Sequence, residues 1–147
     1  MKKQAYTMIA MIVLVGSMAA GARAQNSSHT ELRANIPFQF NVGDKTLPAG
    51  EYTVRQLNLH SDRAVLQIRR KDGSASVMVQ MDFVNGRAPE SAKLTFHRYS
   101  NEYFFAEAWI DGDASGLRAP KSRAERYAQA ETAVLRGKTE NVALRVR

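Results

Sequence analysis

"LRANIPFQFNV", from Leu32 to Val42, sets Leu32, Ala34, Ile36, Phe38, Phe40 and Val42 on alternate positions, with Arg33, Asn35, Gln39 and Asn41 between them. A period of two sends the two sets to opposite sides of an extended chain, which the 3.6-residue repeat of a helix does not do. The stretch predicts a β-strand with one face in a core. Pro37 has no N–H to give to a ladder, so the strand is expected to lie at a sheet edge or to break there.

Gly43-Asp44 then turns the chain into "KTLPAGEYTV", Lys45 to Val54. Pro48 fixes its own φ and Gly50 admits a positive one, which predicts a turn of type II character delivering Tyr52 and Val54 to the core side. A phosphate-cradling loop would set several glycines before a helix. Here a strand follows, so the loop reads as structural.

Alternation returns with Leu66 and Ile68 in "AVLQIRR", and with Ala75, Val77, Val79, Met81 and Phe83 in "SASVMVQMDF". The Asp72-Gly73 pair between them is a hairpin signal. After "NGRAPES" come two more strand-like runs, "KLTFHRY" and "EYFFAEAWI". Short strands joined by short turns predict a mainly β domain, an antiparallel sandwich or small barrel of about six to seven strands.

One C-terminal α-helix is expected over 122–136. Ser122 with Glu125 three residues on forms a capping box, and Gly137 supplies the stop. Ala124, Tyr127, Ala128, Glu131 and Leu135 fall near one face, mostly small, so that face is expected against the sheet. "NVALRVR", near 141–147, reads as a final edge strand guarded by charge.

Working outward to the N-terminus, Lys2 and Lys3 precede an apolar run from Ala5 to Ala20, and Ala22-Arg23-Ala24 offers small residues to a peptidase. Residues 1–24 therefore read as a secretory signal. The run is shorter than the roughly 20 residues a spanning helix needs, so no transmembrane span is expected in the mature chain. Residues 25–147 form one domain of ordinary size. The expected location is outside the cytoplasm, periplasmic or extracellular.

The chain has no cysteine, which excludes thiol catalysis, thiolate metal sites and disulfide exchange. Its formal charge is +7, and three of the cations, Lys2, Lys3 and Arg23, belong to the signal. The remaining excess gathers in the last quarter of the chain, which could touch anionic lipid, envelope polymer or nucleic acid. Export argues against nucleic acid. A solvated helix face is the expected account of the excess.

Three blocks, "IPFQFNVGDKTLPAGEYTV", "KLTFHRYSNEYFFAEAW" and "PKSRAERYA", resemble those of the small secreted β-rich proteins abundant in Acidobacteria. The resemblance covers most of the mature chain and implies an exported β-rich fold. It brings no activity, ligand or catalytic residue with it.

Lys93 to Ile110 is the stretch richest in chemistry. With a three-residue loop, Ser100-Asn101-Glu102, one face gathers Leu94, Phe96, Phe104, Ala106, Ala108 and Ile110. The other then gathers Thr95, His97, Tyr99, Tyr103, Phe105, Glu107 and Trp109. A two-residue loop would shift this grouping, because side chains alternate faces.

The second face admits two readings. It is a binding platform, its rings suited to envelope sugars and His97 and Glu107 adding a donor and an acceptor. Otherwise the helix covers it, and the rings form a second core layer with His97 and Glu107 as a satisfied pair. The second is expected, since an exposed aromatic patch compromises solubility.

The same His97 and Glu107 could serve as acid and base in an envelope-glycan hydrolase or isomerase, but no nucleophile or oxyanion donor stands beside them in sequence. His29, His60 and His97 lack metal-ligand spacing, and neither metal nor cofactor is expected. Lys121, Ser122 and Arg123 at the helix start could hold a phosphate or sulfate. The reading expected there is a capped helix whose arginines pair with sheet acids such as Asp111 and Asp113. The sequence thus points to an exported, non-enzymatic β-domain, a binding or structural component of the envelope, with an envelope polysaccharide or another envelope protein as partner.

Overall fold

The computed structural model describes residues 31–58, 62–135 and 139–146. The expected signal, the lead to Thr30 with His29, and also His60, Gly137 and Arg147, lie outside them. The described chain is mainly β with one helix near its C-terminus. It runs β1 (Glu31–Ile36), β2 (Phe40–Val42), β3 (Lys45–Leu47), β4 (Gly50–Gln56), β5 (Ala64–Arg70) and β6 (Ser76–Asn85). After these come β7 (Lys93–Tyr99), β8 (Glu102–Trp109), β9 (Ser115–Arg118), α1 (Arg123–Val134) and β10 (Thr139–Arg145).

The strands outnumber the six or seven expected because breaks at Pro37 and around Pro48 divide the first runs, and because Ser115–Arg118, which carries no alternating apolar run, forms β9. Those runs become β1 to β4. The alternation holds across the first break: Leu32, Ala34, Ile36, Phe40 and Val42 are all buried.

Pairing follows the path β1-β4-β5-β6-β9-β8, with β7 on the other side of β8 and β10 on β7. The ladders are antiparallel except where β2 meets β8 in parallel at Asn41 and Phe104, so the sheet is mixed and open. Each strand contributes to one apolar core, which includes Tyr52, Val54, Ile68, Met81, Leu94, Phe96 and Phe105. Because both ends of the path feed that core, the sheet must coil strongly. Its edges β1 and β10 approach one another with no ladder between them among the described residues. Among those residues no helix is long and apolar enough to cross a membrane.

The Pro48–Gly50 segment delivers Tyr52 and Val54 to the core as expected, each about 1% exposed. It is a bend and not a type II turn: the positive φ, 155°, belongs to Gly50 at the start of β4, whereas a type II turn would need it at Ala49. The Tyr52 hydroxyl donates to the Pro48 carbonyl at 2.6 Å and holds the bend against the strand it feeds. A β-carbon at Gly50 would also lie 3.0 Å from Arg70 Nε. Gly50→Ala is therefore expected to lower stability by about 1 kcal/mol or more, read as a lower urea midpoint. An unchanged midpoint would show that the bend tolerates a side chain.

Candidate functional site

The β7–β8 hairpin turns through two residues, Ser100 and Asn101, with Tyr99 opposite Glu102 and Ser100 at φ 53°. Phe96 faces Phe105 but Thr95 faces Glu107, so Ala106 is an extra residue, a bulge in β8. Its carbonyl accepts from Ala119 N–H at 2.8 Å.

The shorter loop flips β8 relative to the expected grouping, and the bulge flips it back. Glu107 and Trp109, beyond the bulge, therefore share the outer face with Thr95, His97 and Tyr99 as expected. Tyr103 and Phe105, before it, do not. Phe105 enters the main core with its ring 5.8 Å from that of Phe96. Tyr103 stacks on Phe38 at 3.9 Å under the Arg98 guanidinium. Phe104, expected in the main core, takes their place on the outer face.

Helix α1 docks on the His97 end of this face. Ser122 caps it by accepting from Glu125 N–H at 3.1 Å. The buried helical residues are Glu125, Ala128 and Thr132, spaced three and four apart as one face requires. Of the expected inward set only Ala128 is buried, and Tyr127 is 63% exposed.

The docking chemistry is polar. Glu125, 4% exposed, places Oε1 2.7 Å from His97 Nδ1 and accepts from the Tyr99 hydroxyl at 3.3 Å. Around this pair Tyr99, Phe104 and Ala128 form a second small apolar cluster.

Burial, and then the neighbouring Glu125 carboxylate, push the Tyr99 phenol up to about 12. The unfolded phenol ionises near 10, so the contribution of this group is fully present below that pH and is lost as pH rises towards 12. Tyr99→Phe should therefore flatten the fall in urea midpoint above pH 10. An unchanged slope would contradict the assignment.

At the other end of the face, Glu107 accepts from Trp109 Nε1 at 2.9 Å and from Arg118 Nε at 2.9 Å. Partial burial raises the Glu107 pKa, but these two bonds and the Arg118 charge outweigh it and hold the carboxyl below its ordinary value. Trp109 is buried, 8% exposed, as expected, though its cover differs from the expectation. Its indole lies on β9 at Gly116, where an added β-carbon would come 2.6 Å from Cδ2. It also lies against Gly86, where one would come 2.6 Å from Cη2. Two glycines make the bed of the ring, and the helix sits over His97, Tyr99 and Phe104.

His97 and Glu107 consequently hold different partners and do not form the expected pair. At the helix start, Lys121 Nζ donates to Gln129 Oε1 at 2.9 Å and Arg123 Nη2 to the Tyr127 hydroxyl at 3.3 Å. Both cations fold back along the helix, and the Ser122 hydroxyl is used as the cap. Among the described residues Asp111 and Asp113 make no ion pair with the helix arginines. His29 and His60 fall outside the described residues, among which no three potential ligands cluster.

A different surface emerges only from the register of β1, β4 and β5. Arg33, Thr53 and Arg69 form one cross-strand row on their outer face, and Glu31, Arg55 and Gln67 the next. With Lys71, Arg70 and Arg145 these side chains line a groove of about 970 Å³. Glu51 is engaged by Lys71 at 2.6 Å, while Arg33 meets Glu31 only loosely, at 3.6 Å. The odd-numbered polar positions of "LRAN", "EYTVR" and "LQIRR" are the signal for this surface. They declare nothing until the strands are aligned. Comparison of the chain with protein-family models, curated proteins and solved structures found no match.

Proposed function

We propose that this protein is an exported, non-enzymatic β-domain acting as a binding component of the cell envelope. The open cation-lined groove on β1, β4 and β5 carries the reading. It combines accessible charge with a rigid sheet floor, as a binding surface requires. His97 and Glu107, the acid and base nearest to a catalytic pair, are each tied to a structural partner, Glu125 and Arg118. Bound in this way, they share no hydrogen bond with each other and form no acid–base pair among the described residues. The signal-like N-terminus of the sequence supports export.

The test is fractionation of cells producing the protein, followed by a screen of the purified chain against envelope glycans. Mature protein outside the cytoplasm that binds without turnover is expected. Full-length protein in the cytosol, or glycan turnover abolished by His97→Ala, would overturn the reading.

A further inference from the structure

We propose that the groove on β1, β4 and β5 binds an extended anionic polysaccharide, its guanidinium groups gripping carboxylates carried on the sugar chain. The inference rests on the binding role above and names the partner of that surface.

Charge comes first. Among the described residues six cationic side chains line the groove against two carboxylates, Glu31 and Glu51. Lys71 takes up Glu51 and Arg70 pairs with Asp72 at 3.3 Å, which leaves Arg33, Arg55, Arg69 and Arg145 in excess over Glu31. Arg55 is held by a neutral group, Gln67 Oε1, at 3.0 Å. Arg69 makes no ion pair among the described residues. Arg33, Arg55 and Arg69 are all exposed. Guanidinium groups are planar forks that meet a carboxylate with two parallel bonds. A surplus of them in a recess selects an anion.

Geometry then narrows the class. Arg33 and Arg69 stand two strands apart in one row, which is about 10 Å at the usual strand spacing. That is close to the repeat of a disaccharide unit, and longer than the roughly 6.7 Å between same-side residues of an extended peptide.

A membrane surface would need apolar anchors beside the charges. Among the described residues the large exposed apolar side chains, Met78, Phe83, Tyr127, Val134 and Leu135, are all absent from the groove lining. Single-stranded nucleic acid would want a free aromatic face for stacking, but Tyr52, the one ring among the described lining residues, is 1% exposed; duplex DNA is left to the comparison probe.

The experiment measures retention of the purified protein on immobilised polygalacturonate, with dextran, poly-glutamate, duplex DNA and phosphatidylglycerol vesicles as comparison probes. Retention on polygalacturonate but not dextran is expected, released by raising salt because exposed charges are screened. Replacing Arg33, Arg55 and Arg69 together by glutamine should weaken it at least tenfold. Lys121→Gln, Arg123→Gln and Arg126→Gln together remove the same charge from the helix and should change it less than twofold. Should the groove triple variant fold poorly, Arg69→Gln with Arg145→Gln supplies the same comparison.

Equal losses in the two triple variants, equal retention on dextran, or tighter binding to DNA, poly-glutamate or vesicles would overturn the proposal. Cytosolic protein would remove the envelope role and leave the groove measurement standing. An exported protein that ignores polygalacturonate would remove the groove proposal alone.

Discussion

Cutting Trp109 to alanine should lower stability by about 3 to 5 kcal/mol, the cost of deleting a large ring from a packed site. The ring is 8% exposed, spans Gly86 and Gly116 and donates its N–H to Glu107, so its removal leaves a cavity together with an acceptor short of one donor. The glycine bed makes the explanation specific. In an ordinary strand Gly→Ala is favourable by roughly 0.5 to 1 kcal/mol. At Gly116 the new β-carbon would meet the indole at 2.6 Å, so Gly116→Ala should instead destabilise by about 1 to 3 kcal/mol, as overpacking does. Urea unfolding of both variants checks the pair. A stabilised Gly116→Ala protein would show that the ring does not rest there.

Glu125→Ala should cost about 2 to 3 kcal/mol, because its buried carboxylate serves both His97 and Tyr99 and its loss strands two polar groups under the helix. Glu125→Gln keeps an acceptor oxygen and should lose only about half as much. The alanine variant should also bring the Tyr99 phenol down from about 12, since one of the groups that raise it is gone. Loss of less than about 0.5 kcal/mol with an unmoved phenol would mean that α1 is held by something other than this bond.

What the sequence made legible, and what it hid, follows from the range of the interactions. The alternation from Leu32 to Val42, the Asp72-Gly73 hairpin and the Ser122 cap are local, and each appears where expected. The β7–β8 grouping depended on a loop length and on a bulge at Ala106, neither of which leaves a turn or composition signal. Tyr103 and Phe105 were misplaced for that reason, while Glu107 and Trp109 fell on the expected face because two register shifts cancelled.

The helix face was misjudged on hydrophobicity. Glu125 is buried through hydrogen bonds to His97 and Tyr99 of β7 and Thr132 through one to Ser100 in the hairpin turn, a compensation invisible in composition. The bed of Trp109 and the arginine rows join residues far apart in the chain, so no spacing announces them.

The account turns on one point: the β7–β8 outer face is packed structure, and the proposed surface for recognition is the arginine groove. Trp109 is the single tryptophan of the chain, so its fluorescence reports that point without labels. In the intact folded protein it should emit at short wavelength and resist acrylamide, and Gly116→Ala should shift the emission red and speed quenching. Emission like that of free indole, with ready quenching in the unaltered protein, would contradict the account and return the aromatic face to first place as the binding surface.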